Sequence, residues 1–316
     1  MQNDFNQIKL RVDAELEKIS RFESKSLSQS VKYSLSKGGK RLRPLLLVEA
    51  CNAFSGSKED AIPASVAIEI LHNFTLVHDD IMDGDLIRHG RETVHSKWDI
   101  GTGVLTGDAL LAIALNIIQS YNNLEIIKLF NKSLIDVCDG QSLDKEFENL
   151  DISIDQYMHM IKLKTGCLLG VSAQIGSVIG GGNTNDSKLM YEYGQYIGKA
   201  FQIQDDYLEV FSNEKKMGKT LKSDIVLNKK TFLMINGYLK NSQKMNEIKE
   251  IIIRGEFKLG QKKLVDFYID SGIKDLANQK IKDLISKANK KLDMIENIRP
   301  GNNLIYFSNL ILNRDK

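Results

Sequence analysis

DALLAIALNIIQSYNNLEIIKLF, residues 108 to 130, decides the fold class. It holds no glycine or proline, and its apolar residues recur at helical spacing. Similar stretches fill the 316 residues, interrupted only by Pro44, Pro63 and Pro300, while alternating strand patterns are scarce. The chain reads as all-α. A 42% hydrophobic share suffices for a real core, and no linker divides the sequence, so a single domain over residues 1–316 is expected. The Lys/Asn/Asp-rich segment from 239 to 300 reads as polar-faced peripheral helices.

Charges nearly cancel, at net +2, and form no basic stripe, so the sequence recommends no nucleic-acid partner. Cys51, Cys138 and Cys167 are odd in number and set in apolar helical sequence. They read as reduced core thiols in a cytoplasmic protein. LLGVSAQIGSVIGGG, at 168 to 182, reads as the most apolar stretch, too short and too polar to cross a bilayer, so no integral membrane protein is expected. Gly180, Gly181, Gly182 and Asn183 mark a helix stop there.

One acidic signature occurs twice. Asp79, Asp80 and Asp83 lie in HNFTLVHDDIMDGD, and Asp205, Asp206 and Glu209 lie in AFQIQDDYLEVF. Each ends an apolar helical stretch, so carboxylates at i and i+4 share one face, a turn apart, and repel. A single such cluster is most simply a solvated acidic face. Two of them on core helices imply a hard cation, and Mg²⁺, which completes its shell with phosphate oxygens, suggests a diphosphate held between them. His72, His78, His89 and His95 lack the cysteine partners or HExxH spacing of a zinc site. Met82, Met158 and Met160 read as core packing.

Basic residues accompany the acids. SKGGKRLRP sets Gly38 and Gly39, which allow close backbone approach to an anion, before Lys40, Arg41 and Arg43, with Pro44 ahead of the apolar LLLVEACNAF. Arg88 and Arg91 follow the first acidic cluster, Lys164 and Thr165 lie in KLKTGCLLG, and Lys219, Lys229 and Lys230 follow the second.

GGKRLRP, DDIMD with its following arginine and glycine, GDALL at 107 to 111, GQSLD at 140 to 144, KTG at 164 to 166, FQIQDD at 201 to 206 and the later GK, in that order, resemble the trans-type isoprenyl diphosphate synthases, or polyprenyl synthetases. The motifs span roughly residues 30 to 235. The resemblance implies an isoprenoid-synthase-type helical bundle around a deep central cavity, and head-to-tail condensation of isopentenyl diphosphate with dimethylallyl, geranyl or farnesyl diphosphate. It also implies a homodimer, with helices such as 108 to 118 at the interface, and three Mg²⁺ per active site. Asp79 and Asp83 hold Mg²⁺ on one side of the allylic diphosphate and Asp205 on the other, supported by Asp80, Asp206 and Glu209. Arg88, Lys164, Lys219 and Lys229 hold the diphosphate, and the oxygens of Thr165 and Gln202 face the allylic cation. Lys40, Arg43, His72 and His89 take isopentenyl diphosphate.

This chain departs from the family in three places. His89 replaces an arginine, with Arg91 a possible substitute; Lys222 replaces a glycine; Glu209 replaces the last aspartate. The resemblance makes Phe74, five residues before Asp79, the floor of the product cavity, beside the smaller Thr75 and Leu71. Such a floor is of the geranylgeranyl, twenty-carbon, type. Farnesyl diphosphate is the near alternative, with a non-catalytic regulatory subunit and a terpene cyclase further off.

Overall fold

The computed structural model describes residues 2–19, 22–36, 39–88, 90–211 and 228–312. Apart from a two-residue antiparallel ladder, β1 (Ile87–Arg88) with β2 (Arg91–Glu92), the described elements are helical. The chain divides into two compact units, Met1–Leu134 with Val171–Tyr191 and Ile295–Leu304, and Ile135–Gly170 with Glu192–Met294 and Ile305–Lys316.

In the first unit, α1 (Gln2–Glu17), α2 (Lys25–Leu35) and α3 (Leu42–Ala53) precede α4 (Lys58–Asp83), then α5 (Val94–Lys97) and α6 (Ile100–Gln119). The helix after the basic loop starts at Leu42, two residues before Pro44, which sits harmlessly in its first turn. α4 is capped by the Ser57 side chain, carries Glu59 and Asp60 at its positive end, and stops at Gly84, whose φ of 67° is the left-handed conformation that suits glycine. Pro63 opens this helix without breaking it. The Tyr121 hydroxyl accepts from the Ala64 N–H at 3.0 Å and donates to the Asp60 carbonyl, satisfying the groups beside the missing proline donor.

α6 packs along α4 because glycine removes the side chains at the contact. A Cβ on Gly107 would lie 2.1 Å from the His78 ring, and one on Gly103 would lie 2.8 Å from Ile81. Among the described residues α6 is the one helix long and apolar enough, by length and composition, to cross a membrane. It lies outside the 168 to 182 stretch singled out in the sequence. Much of its outer face is exposed, as at Ile100, Val104 and Leu105.

The second unit holds the later part of α7 (Leu124–Phe147), α8 (Ile154–Ile161), a π-helical turn (Lys162–Gly166), the start of α9 (Cys167–Ile179) and most of α10 (Thr184–Phe211). It also holds α11 (Phe232–Ile253), α12 (Phe257–Asp270), α13 (Ile273–Leu292) and nearly all of α14 (Leu304–Leu312). α11, α12 and α13 pack on one another through Met245, Ile252, Leu264, Tyr268 and Ile281, with polar outer faces as expected. Cys51 and Cys167 are buried thiols, and burial pushes Cys51 up to about 12. Cys138 is exposed, so it is not the core thiol its apolar neighbours suggested.

Candidate active site

The first acidic cluster is the last turn of α4. Asp79 and Asp83 are half-exposed, whereas Asp80 between them is 2% exposed. Asp80 accepts a hydrogen bond from the Arg88 guanidinium at the start of the hairpin. Burial opposes the Arg88 charge, but Asp80, with Asp79 and Asp85, more than restores it. Gly84 makes this contact possible by turning the chain back sharply after Asp83.

The second cluster repeats the arrangement on α10. Asp205 and Glu209 are half-exposed and Asp206 is buried. Tyr157 donates to Asp206 at 2.7 Å, the Gln202 amide donates to its other oxygen at 3.0 Å, and the Thr165 hydroxyl donates to the Gln202 carbonyl at 2.7 Å. Burial, and then the Asp206 charge, push the Tyr157 phenol well above its ordinary value, so it stays a donor. Thr165 and Gln202 are thus held in one chain with the inner aspartate.

Thr165 belongs to the π-helical turn, and glycines press on that turn from two helices. A Cβ on Gly198 of α10 would stand 2.6 Å from the Gly166 Cα, and one on Gly140 of α7 would stand 2.3 Å from the Lys164 nitrogen. One turn past Gly140, Asp144 Oδ2 accepts from Lys164 at 2.8 Å and from Lys229 at 2.9 Å. Lys229 also reaches Glu148 at 2.9 Å. Burial alone would raise the Asp144 carboxyl, but the two ammonium groups hold it below the usual carboxylate range. Asp144, Glu148 and Tyr157 escaped the sequence reading as site residues, although GQSLD, which ends in Asp144, was among its motifs.

In the first unit Lys40 is exposed, Arg43 and His72 are half-buried, and His72 lies two turns before Asp79 on the same face of α4. Arg41, the other cation of that loop, is no anion ligand. It is buried at a φ of 50°, bonded to Asp13 at 2.8 Å and Glu69 at 2.7 Å, and these carboxylates outweigh the burial that opposes its charge. Arg91 lies over the Tyr33 ring at 4.3 Å, with Ser36 as its 3.5 Å partner. Phe74 and Leu71 are buried and Thr75 half-buried; the Phe74 ring meets His78 edge-on at 4.8 Å, about 140° round the helix from Asp79. Gly38, His89, Lys219 and Lys222 lie outside the described residues.

The outward carboxylates suit a hard cation. Among the described residues no group of three His, Cys, Asp or Glu side chains is placed to hold a metal alone. The half-exposed Asp79 and Asp83 in the first cluster and Asp205 in the second match Mg²⁺, which takes one or two carboxylates and completes its shell with waters and phosphate.

The sequence profile of the Polyprenyl synthetase family matches residues 24–266. The chain is similar to the geranylgeranyl pyrophosphate synthase of Geoglobus acetivorans, with 35% identity over 299 residues, 93% of this chain and 92% of the relative. It is also similar to the geranylgeranyl diphosphate synthase of Sulfolobus acidocaldarius, 41% identical over 241 residues, 74% of this chain and 73% of the relative. The crystal structure of the geranylgeranyl pyrophosphate synthetase of Pyrococcus horikoshii matches with a TM-score of 0.88 at 31% identity, covering 99% of both chains.

Proposed function

This chain belongs to the polyprenyl synthetase family, and on that premise we propose that it joins isopentenyl diphosphate head to tail to allylic diphosphates, giving geranylgeranyl diphosphate. It is a prenyltransferase with the all-α isoprenoid-synthase fold. The observation that carries the site reading is the repeated carboxylate arrangement, two half-exposed residues and one buried and tied down, on α4 and on α10.

Asp79 and Asp83 on one side of the diphosphate, and Asp205 on the other, would hold Mg²⁺, three ions in all, with Asp80, Asp206 and Glu209 in support. When bound, the metal supplies charge neutralisation for the departing diphosphate. Arg88, Lys164, Lys219 and Lys229 bind the diphosphate oxygens, so that when the allylic C–O bond breaks its electron pair leaves with a stabilised anion. The oxygens of Thr165 and Gln202 face the resulting cation and temper its charge without bonding to it. Lys40, Arg43, His72 and His89 orient isopentenyl diphosphate, whose alkene then attacks. The proton lost from the new chain goes to the released diphosphate.

In this reading Phe74, Leu71 and Thr75 on α4 limit the length of the product. Two copies pair through the exposed face of α6, in the cytoplasm. Incubating the purified protein with Mg²⁺, labelled isopentenyl diphosphate and each allylic primer, then measuring chain length, tests it. Twenty-carbon product is expected; fifteen-carbon product would reassign it as a farnesyl synthase, and no product with any primer would leave a regulatory subunit.

A further inference from the structure

GQSLD has no role in the chemistry above, yet its two ends make close contacts in the second unit. Gly140 brings α7 against the backbone of the π-helical turn, where any side chain would collide with Lys164. One turn further on, Asp144 is 8% exposed and its Oδ2 receives both Lys164 and Lys229. Lys164 comes from the π-helical turn and Lys229 from the segment before α11, so their ammonium groups meet through tertiary structure. Two like charges on long flexible stems separate unless an anion sits between them.

We infer that Asp144 is a positioning residue, which acts through Lys164 and Lys229 by holding the two ammonium groups together in register to receive one diphosphate. Glu148 secures the same pair from the far side of Lys229, and is itself paired with Lys145 at 2.9 Å. Asp144 takes one N–H of each three-donor ammonium group, so both point to the same carboxylate oxygen. Pre-set donors lose less freedom when the substrate arrives, and they stand ready where charge develops as the C–O bond breaks. This inference rests on the diphosphate reading of the lysines.

The test is a double-mutant cycle with Asp144→Asn and Lys164→Ala. Asp144→Asn should lower kcat about ten-fold while the KM for isopentenyl diphosphate stays within about two-fold, since one charge-assisted hydrogen bond is worth roughly that much. In the Lys164→Ala background the same change should cost little more, because residues that act as a unit are not additive. Multiplicative losses, equal effects on both substrates, or undiminished kcat would overturn the inference. The same cycle, read as affinity for inorganic diphosphate with Mg²⁺ by calorimetry, needs no turnover. An inactive wild type would therefore reject the prenyl-transfer reading, while additivity in binding would reject the role of Asp144. Should Asp144→Asn fail to fold, Asp144→Glu keeps the charge but moves it by a methylene. Lowered turnover or diphosphate affinity is expected from it, and wild-type values in both would overturn the placement.

Discussion

Asp80 and Asp206 hold the second place in their clusters, and burial separates each from its neighbours. The outward carboxylates are the ones available to a cation, so Asp79→Ala and Asp205→Ala should each lower kcat by at least ~10²-fold with the protein still folded. Retained turnover in either would remove that residue from the metal site. Phe74 is tested by product length. If its ring ends the cavity, Phe74→Ala opens room for a longer chain and products should pass beyond twenty carbons, with little change in single-turnover rate on a short primer. An unchanged product would move the floor off α4. Leu71, one turn earlier on α4, would be the next barrier after Phe74, while Leu111 and Leu115 are half-buried on α6, whose residues against His78 and Ile81 are Gly107 and Gly103. Glu49 tests burial instead of chemistry. It is fully buried on α3, Asn303 donates to it at 2.9 Å, and burial raises its carboxyl above the usual range. The folded state then holds this proton more tightly than the unfolded chain. Stability from this group is full below the unfolded value and is lost as pH rises through the folded one. Glu49→Gln should accordingly raise Tm at about pH 8 and give a smaller gain at about pH 4.

At the scale of the element, α4 matters most, since it carries His72, Leu71, Phe74, Thr75 and the first acidic cluster. Pro63 would ordinarily break so long a helix, and the repair comes from the Tyr121 hydroxyl beyond the end of α6. Tyr121→Phe keeps the ring and removes the bridge, leaving the Ala64 N–H without that acceptor. It should cost on the order of 1–3 kcal/mol in denaturant unfolding. A cost near zero would mean that solvent satisfies the groups beside Pro63. Helix spacing in the sequence marked α4 and α6 as core helices. It could not show that they touch through Gly103 and Gly107, because close approach depends on which faces meet.

For the whole molecule the open question is assembly. Ile100 is 63% exposed and Leu105 61%, on a helix whose opposite face is packed, so water meets these large apolar side chains on a single chain. Sedimentation at working concentration should show a dimer, and Leu105→Glu should weaken it. A monomeric wild type would remove α6 as an interface. By itself the sequence determined the helical class, the motif order and the nature of the ligand, because helical periodicity is local and paired carboxylates beside basic loops state their chemistry wherever they fold. Arg41 and Asp144 show what it left open. Arg41 stands among cations in a basic loop, and only packing against Asp13 and Glu69 makes it structural. Asp144 and its two lysines come from three separate segments. Burial and ion pairing are properties of neighbours distant in the chain, so which cation serves the fold and which remains for a ligand was decided only by the tertiary structure.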